Sequence, residues 1–105
     1  MDPQVLVVYC TCPNEVVARE ISRAITTKKL AACVNIIPKV ESIYIWNGQS
    51  ETDEEVLCII KTTTEKYQSM EDEIIKLHPY EICEIIAIPV IKGHSAYLNW
   101  VKENT

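Results

Sequence analysis

Ala31–Trp46, AACVNIIPKVESIYIW, is a strand-like run interrupted only by Pro38, and its reading decides the fold. A turn follows at Asn47-Gly48-Gln49-Ser50. A second run, with EVLCIIKTTT at its heart, climbs back over residues 54–64. Ordinary strands are about five or six residues long. The first run has 16 residues, which at about 3.3 Å each would reach about 50 Å. A compact chain of this length has a radius of gyration of about 13 Å and is about 33 Å across. The ribbon therefore outruns its own domain. Either it kinks sharply or its tip lies against another subunit.

Outward from the ribbon, QVLVVYCT at residues 4–11 reads as a first strand, ended by Cys12-Pro13. Asn14 is suited to cap a helix, since its side chain accepts from a free backbone N–H. Val17, Ile21, Ala24 and Ile25 then recur at helical spacing up to Lys29. Beyond the ribbon, Thr64 is a second candidate cap, and Tyr67, Met70, Ile74 and Leu77 mark one face of a second helix. His78-Pro79 ends it, because the residue before proline is pushed out of the helical region. EIIAIPVIK at residues 84–92 is a fourth strand. Pro89 lacks a ladder N–H, which makes that position an edge or a bulge. After Gly93, Ser95 is placed to cap a short last helix carrying Tyr97, Trp100 and Val101.

The order β-α-β-β-α-β followed by a helix predicts an α+β, ferredoxin-like sandwich, four antiparallel strands with helices on one face. A single domain over residues 1–105 accommodates it. Such a sheet normally has one wet face and alternating strands. VLVVYC, VLCII and EIIAIPVI are instead apolar on both sides. Together with the overlong ribbon, this predicts a homo-oligomer in which sheets are covered by neighbours.

Composition narrows the function classes. A formal charge of −5 argues against nucleic acid or an anionic membrane as partner. No apolar stretch approaches the roughly 18 residues of a membrane span, and the start, MDPQ, lacks the basic opening of a signal peptide. The five cysteines, Cys10, Cys12, Cys33, Cys58 and Cys83, form an odd set without a CxxC pair. They read as reduced thiols of a cytoplasmic protein.

Particular residues carry a resemblance. Cys10-Thr11-Cys12-Pro13 precedes the first helix, and Lys29-Leu30-Ala31-Ala32-Cys33-Val34-Asn35-Ile36 opens the ribbon. Ser42, Tyr44, Trp46 and Gly48 close its first arm, and Glu55, Lys61 and Thr62 lie on the return. His78-Pro79-Tyr80-Glu81, Glu84, Pro89, Gly93 and Tyr97-Leu98-x-Trp100 complete the series. In this order and spacing, across nearly the whole chain, they resemble the CutA family of divalent-cation tolerance proteins. The resemblance implies a ferredoxin-like subunit similar to the PII signalling proteins, a tight homotrimer, a cytoplasmic location, and a link to copper and other divalent metals. It implies no catalytic activity. Association with acetylcholinesterase anchoring, known for some animal relatives, has no support in these residues.

The family's suggested copper ligands carry over to Cys10 and His78. Where members read His-His-Pro-Tyr this chain has Leu77-His78, and Cys83 stands where many members have proline, offering a replacement thiol. Thiolate and imidazole suit copper ions, the thiolate favouring Cu(I). Each residue also has a structural reading. Cys10 and Cys33 sit in apolar runs as small hydrophobes would, Cys58 lies between Leu57 and Ile59, and His78 ends a helix, where an imidazolium suits the dipole. Tyr44, Trp46, Glu55, Lys61 and Tyr80 form a polar-aromatic set, read either as a small-ligand cleft between subunits or as contact residues. Aromatic side chains on such a ribbon more often anchor an interface. A cysteine–His78 nucleophile pair is the least supported reading: it needs hydrogen-bond reach and a third group to orient the base, and no Gly-rich loop, Ser-His-Asp order or metal-hydrolase helix motif accompanies it.

Overall fold

The computed structural model describes residues 4–105. The elements run β1 (Val5–Cys12), α1 (Glu15–Thr27), β2 (Cys33–Trp46), β3 (Gln49–Thr63), α2 (Tyr67–Leu77), β4 (Ile85–Pro89) and α3 (Ser95–Glu103). The sheet order is β2-β3-β1-β4, with every neighbouring pair antiparallel. This is the expected ferredoxin-like α+β arrangement.

Asn14 caps α1 as the sequence predicts, its Oδ1 accepting from the Val17 N–H at 2.9 Å. Two other caps are placed differently. α2 starts at Tyr67 with no side-chain cap, and the Thr64 hydroxyl instead accepts from the Gln4 N–H at 3.1 Å, tying β3 to the entry of β1. Ser95 is the first residue of α3, and His94 occupies the cap position. Pro89 ends β4, an edge strand, as its missing N–H requires.

Residues facing one another across a ladder share a face, so the register sorts the side chains. Leu6, Val8, Cys10 and Cys12 of β1 join Val56, Cys58 and Ile60 of β3 against Ala18, Ile21 and Ile25 of α1 and Met70 and Ile74 of α2. The opposite face carries Val7, Tyr9, Leu57 and Ile59, with Ile86 and Ile88 of β4 beside them. The expectation that helices lie on one face only needs correction. α3 packs on β1 and β3, its fully buried Val101 lies outside the core cluster, and Tyr97 reaches Cys33. Since Cys33 pairs with Lys61, which pairs with Val7, α3 lies on the second face. It covers only part of that face: Ile86 and Ile88 remain 52% and 46% exposed.

The ribbon both bends and projects. Ile37 pairs with Leu57 and Val40 with Glu55, so Pro38 and Lys39 together oppose Val56 alone. This is a β-bulge, with Lys39 at φ 62°. Proline fits there because a bulge residue has no ladder bond to lose. Beyond it the hairpin runs to a two-residue turn, Asn47 at φ 50° and Gly48 at φ 78°. Two consecutive positive φ values define the turn whose twist matches a tight hairpin. Gln49 and Ser50, expected in the turn, already pair within the ladder. The molecule is 44 Å long against 26 and 22 Å in the other directions. The long axis is what an unsupported ribbon contributes.

The extra residue has a further effect. Before the bulge, Val34 and Ile36 face the helices. A strand alternates with period two, so without it Tyr44 and Trp46 would share their side. With it, Tyr44 and Trp46 pair with Glu51 and Gln49, on the side of Glu55 and Leu57. One inserted residue turns both aromatic side chains to the face away from the helices.

Candidate functional site

Two groups of chemistry-bearing residues meet at the C-terminal end of β1. The first is enclosed. Cys10 and Cys12 point from β1 toward the helices, and His78 follows the last turn of α2. One donor atom from each lies within 4.8 Å of the others, and all three residues are buried. The residues of the pair Cys10–Cys12 are two apart on a strand, which places both thiols on one face. Cys12 is thus a member that the sequence reading did not assign as a ligand, although strand parity alone would have found it.

His78 is held by two bonds. The Tyr80 backbone N–H donates to Nδ1 at 3.1 Å. Nδ1 is therefore the unprotonated nitrogen, and Nε2 carries hydrogen and donates to the Thr11 carbonyl at 2.8 Å. β4 stops pairing with β1 at Cys10, and His78 serves the first carbonyl beyond that end. The imidazole also packs against the Tyr80 ring, centroids 4.7 Å apart. As folded, both ring nitrogens are engaged by the protein.

Two of the buried thiols, Cys12 and Cys58, are held in the protonated form in the folded chain. The hydrogen bond to Cys10 pushes the Cys12 thiol up, to about 12, with burial adding to it and the Cys58 thiol opposing it. Cys58 is raised further by its bond to Cys12 and by burial. Its sulfur also lies 3.9 Å from the Ser22 hydroxyl. Two sulfurs and an imidazole make a donor set that fits a soft cation such as Cu(I). Metal–sulfur bonds of about 2.3 Å require these atoms to draw together and one His78 bond to be released. Binding would also displace thiol protons.

Cys83 is not part of this group. Its half-buried thiol donates toward the Tyr80 carbonyl at 3.6 Å, and burial raises its pKa. Cys33 lies on the second face, 4.0 Å from the Lys61 amine.

The second group is open. A groove of about 980 Å³ runs between the hairpin arm of residues 41–46 and the segment of residues 79–84, with Thr11 and Glu55 between them. Tyr44, Trp46, Glu55 and Tyr80, grouped in the sequence as a binding set, all line it. The Tyr80 hydroxyl donates to Glu55 Oε2 at 2.8 Å, and the Tyr44 hydroxyl donates to Asp53. That bond to Asp53 pushes Tyr44 up to about 12. Tyr80 is raised by burial first and then by Glu55. Lys61 is separate: its amine donates to Asn35 on the adjoining arm, outside the groove.

Among the described residues no helix is long and apolar enough to cross a membrane.

The chain matches known proteins along most of its length. It is 50% identical over 97 residues to Protein CutA of Homo sapiens, covering 92% of this chain and 54% of that protein. With the divalent-cation tolerance protein CutA of Thermus thermophilus it shares 46% identity over 99 residues, 94% of this chain and 96% of that one. The chain therefore spans about half the length of its human relative and nearly all of the bacterial one. The solved structure of the Thermus thermophilus protein superposes with a TM-score of 0.95 at 44% identity, covering 96% of this chain and 98% of that one. A family model described as the CutA1 divalent ion tolerance protein matches residues 6–104. With the fold, the blocks of sequence and these matches in agreement, the chain belongs to the CutA1 divalent ion tolerance family.

Proposed function

We propose that this chain acts in divalent-cation tolerance as a cytoplasmic homotrimer that binds copper or a related soft cation through Cys10, Cys12 and His78. The observation that carries the reading is the convergence of the three donors within 4.8 Å. The Cys12 thiol, pushed up to about 12, ligates a metal only by giving up its proton, so affinity should rise with pH across the neutral range. Reduced thiols favour the cytoplasm as compartment.

Titration of the reduced protein with Cu(I) against a competing chelator tests the site. Cys10→Ser and Cys12→Ser are each expected to weaken binding at least about tenfold, since even losing a group that only supports a ligand costs that much. Cys83→Ser should leave it unchanged. Equal binding by the wild type and a Cys10→Ser/Cys12→Ser variant would reject the assignment.

Assembly is supported by apolar surface with no cover. Ile43 and Ile45 on the ribbon are 67% and 70% exposed, and Ile37, Ile86 and Ile88 are exposed on the sheet. Such area on a small domain marks an interaction surface. That the copies number three rests on the family resemblance. Trp46→Ala is expected to remove an aromatic anchor and weaken association by about 2 kcal/mol or more. Sedimentation across a dilution series reads this directly, and an intact, equally heat-stable trimer would refute the contact.

A further inference from the structure

We infer that the groove between the ribbon and residues 79–84 binds a linear aliphatic polyamine, at a site independent of the thiols. Glu41, Glu55, Glu81 and Glu84 line it, and none of its lining residues is Lys, Arg or His. Aromatic faces from Tyr44, Trp46 and Tyr80 stand beside these carboxylates. Ammonium groups are attracted to such rings, and alkyl segments pack against them.

Glu55 is the particular pointer to a cationic ligand. It is 8% exposed, yet no cation pairs with it: the ion pairs among the described residues are Arg19–Glu15, Lys28–Glu73 and Lys76–Glu73. Tyr80 satisfies Oε2, while Oε1 has no hydrogen-bond partner among the described residues. No fully enclosed side-chain oxygen or nitrogen goes unsatisfied among the described residues, so Oε1 remains within reach of solvent. Little water reaches this carboxylate and no cation stands beside it among the described residues, so an ammonium entering the groove meets an uncompensated negative charge in a setting that screens it weakly.

The spacing of the carboxylates selects the class of cation. A divalent ion held by protein oxygens needs several of them converging on one point. Among the described residues the one group of three or more convergent donors is Cys10, Cys12 and His78, so the groove glutamates are dispersed. Dispersed negative charge in an open, aromatic-lined groove suits several positive charges spaced on an alkyl chain. In the proposed trimer a neighbour at the ribbon tip would roof this groove, while its carboxylates come from this chain.

Calorimetric titration of the assembled protein with spermidine, at near-physiological salt, tests the inference. Saturable binding near one ligand per chain is expected, with magnesium at tenfold excess failing to displace it. Glu55→Gln keeps the shape and an acceptor for Tyr80, and should weaken spermidine at least tenfold. Glu81→Gln/Glu84→Gln, at exposed positions, should weaken it less and leave folding untouched. Cu(I) binding should be the same in all these variants. Absence of saturable binding at millimolar spermidine would overturn the inference, including the case in which a neighbour's own cation fills the groove. Equal affinity in Glu55→Gln, or displacement by magnesium, would overturn it as well.

Discussion

Ile60→Ala is expected to destabilise the chain by about 2–5 kcal/mol, the range for emptying a fully enclosed large aliphatic site. Ile60 is wholly buried, on a central strand flanked by both β2 and β1. It pairs with Val8 on one side and Val34 on the other. Central strands with neighbours on both sides cannot shift to refill a void, so the cost should fall in the upper half of that range. Urea denaturation at fixed protomer concentration measures it, since assembly makes apparent stability concentration-dependent. A loss below about 1 kcal/mol would mean that the two helices collapse onto the space. Ile91, 86% exposed, is the matched control and should change little.

His78→Ala should lower stability by about 2–3 kcal/mol, independent of any metal. The substitution strands the buried Thr11 carbonyl and removes the acceptor of the Tyr80 N–H; an unsatisfied buried group costs about 1–3 kcal/mol. His78→Gln retains a donor able to reach the Thr11 carbonyl and should recover part of the loss. The same urea assay, without added copper, separates this from ligation. If His78→Ala were as stable as the wild type, the two bonds would have no structural weight and the ring would be free to serve a metal. The comparison matters because loss of copper binding in His78→Ala has two causes, a missing ligand and a loosened site.

Much of this architecture was legible in residue spacing. The helical recurrence of Ile21 and Ile25 and of Met70 and Ile74, the Asn14 cap and the edge position of Pro89 each follow from one local rule. The caps assigned to Thr64 and Ser95 did not follow. A hydroxyl at a chain turn has several backbone partners in reach, and for Thr64 the nearby Gln4 N–H lies 60 residues earlier, at the entry to β1. Of the metal set, Cys10 and His78 came from resemblance, and Cys12 completed the group once β1 was seen to place both thiols toward α1 and α2. Cys83, offered as a replacement thiol, turned out to face the Tyr80 carbonyl. In the polar-aromatic set Lys61 alone departs: it shares the sheet face of Glu55 but lies further along β3, opposite Cys33 and near Asn35, beyond the reach of the groove.

Sequence alone determined the order of elements, the apolar character of both sheet faces and an excess of ribbon over domain, because these depend on periodicity and length. Only the tertiary structure decided where the ribbon's side chains point. Pro38 and Lys39 insert one residue against Val56, and with a period of two a single insertion exchanges the faces of everything beyond it. That exchange, invisible to alternation counted along the chain, brings Tyr44 and Trp46 to the side of Glu55 and makes the groove.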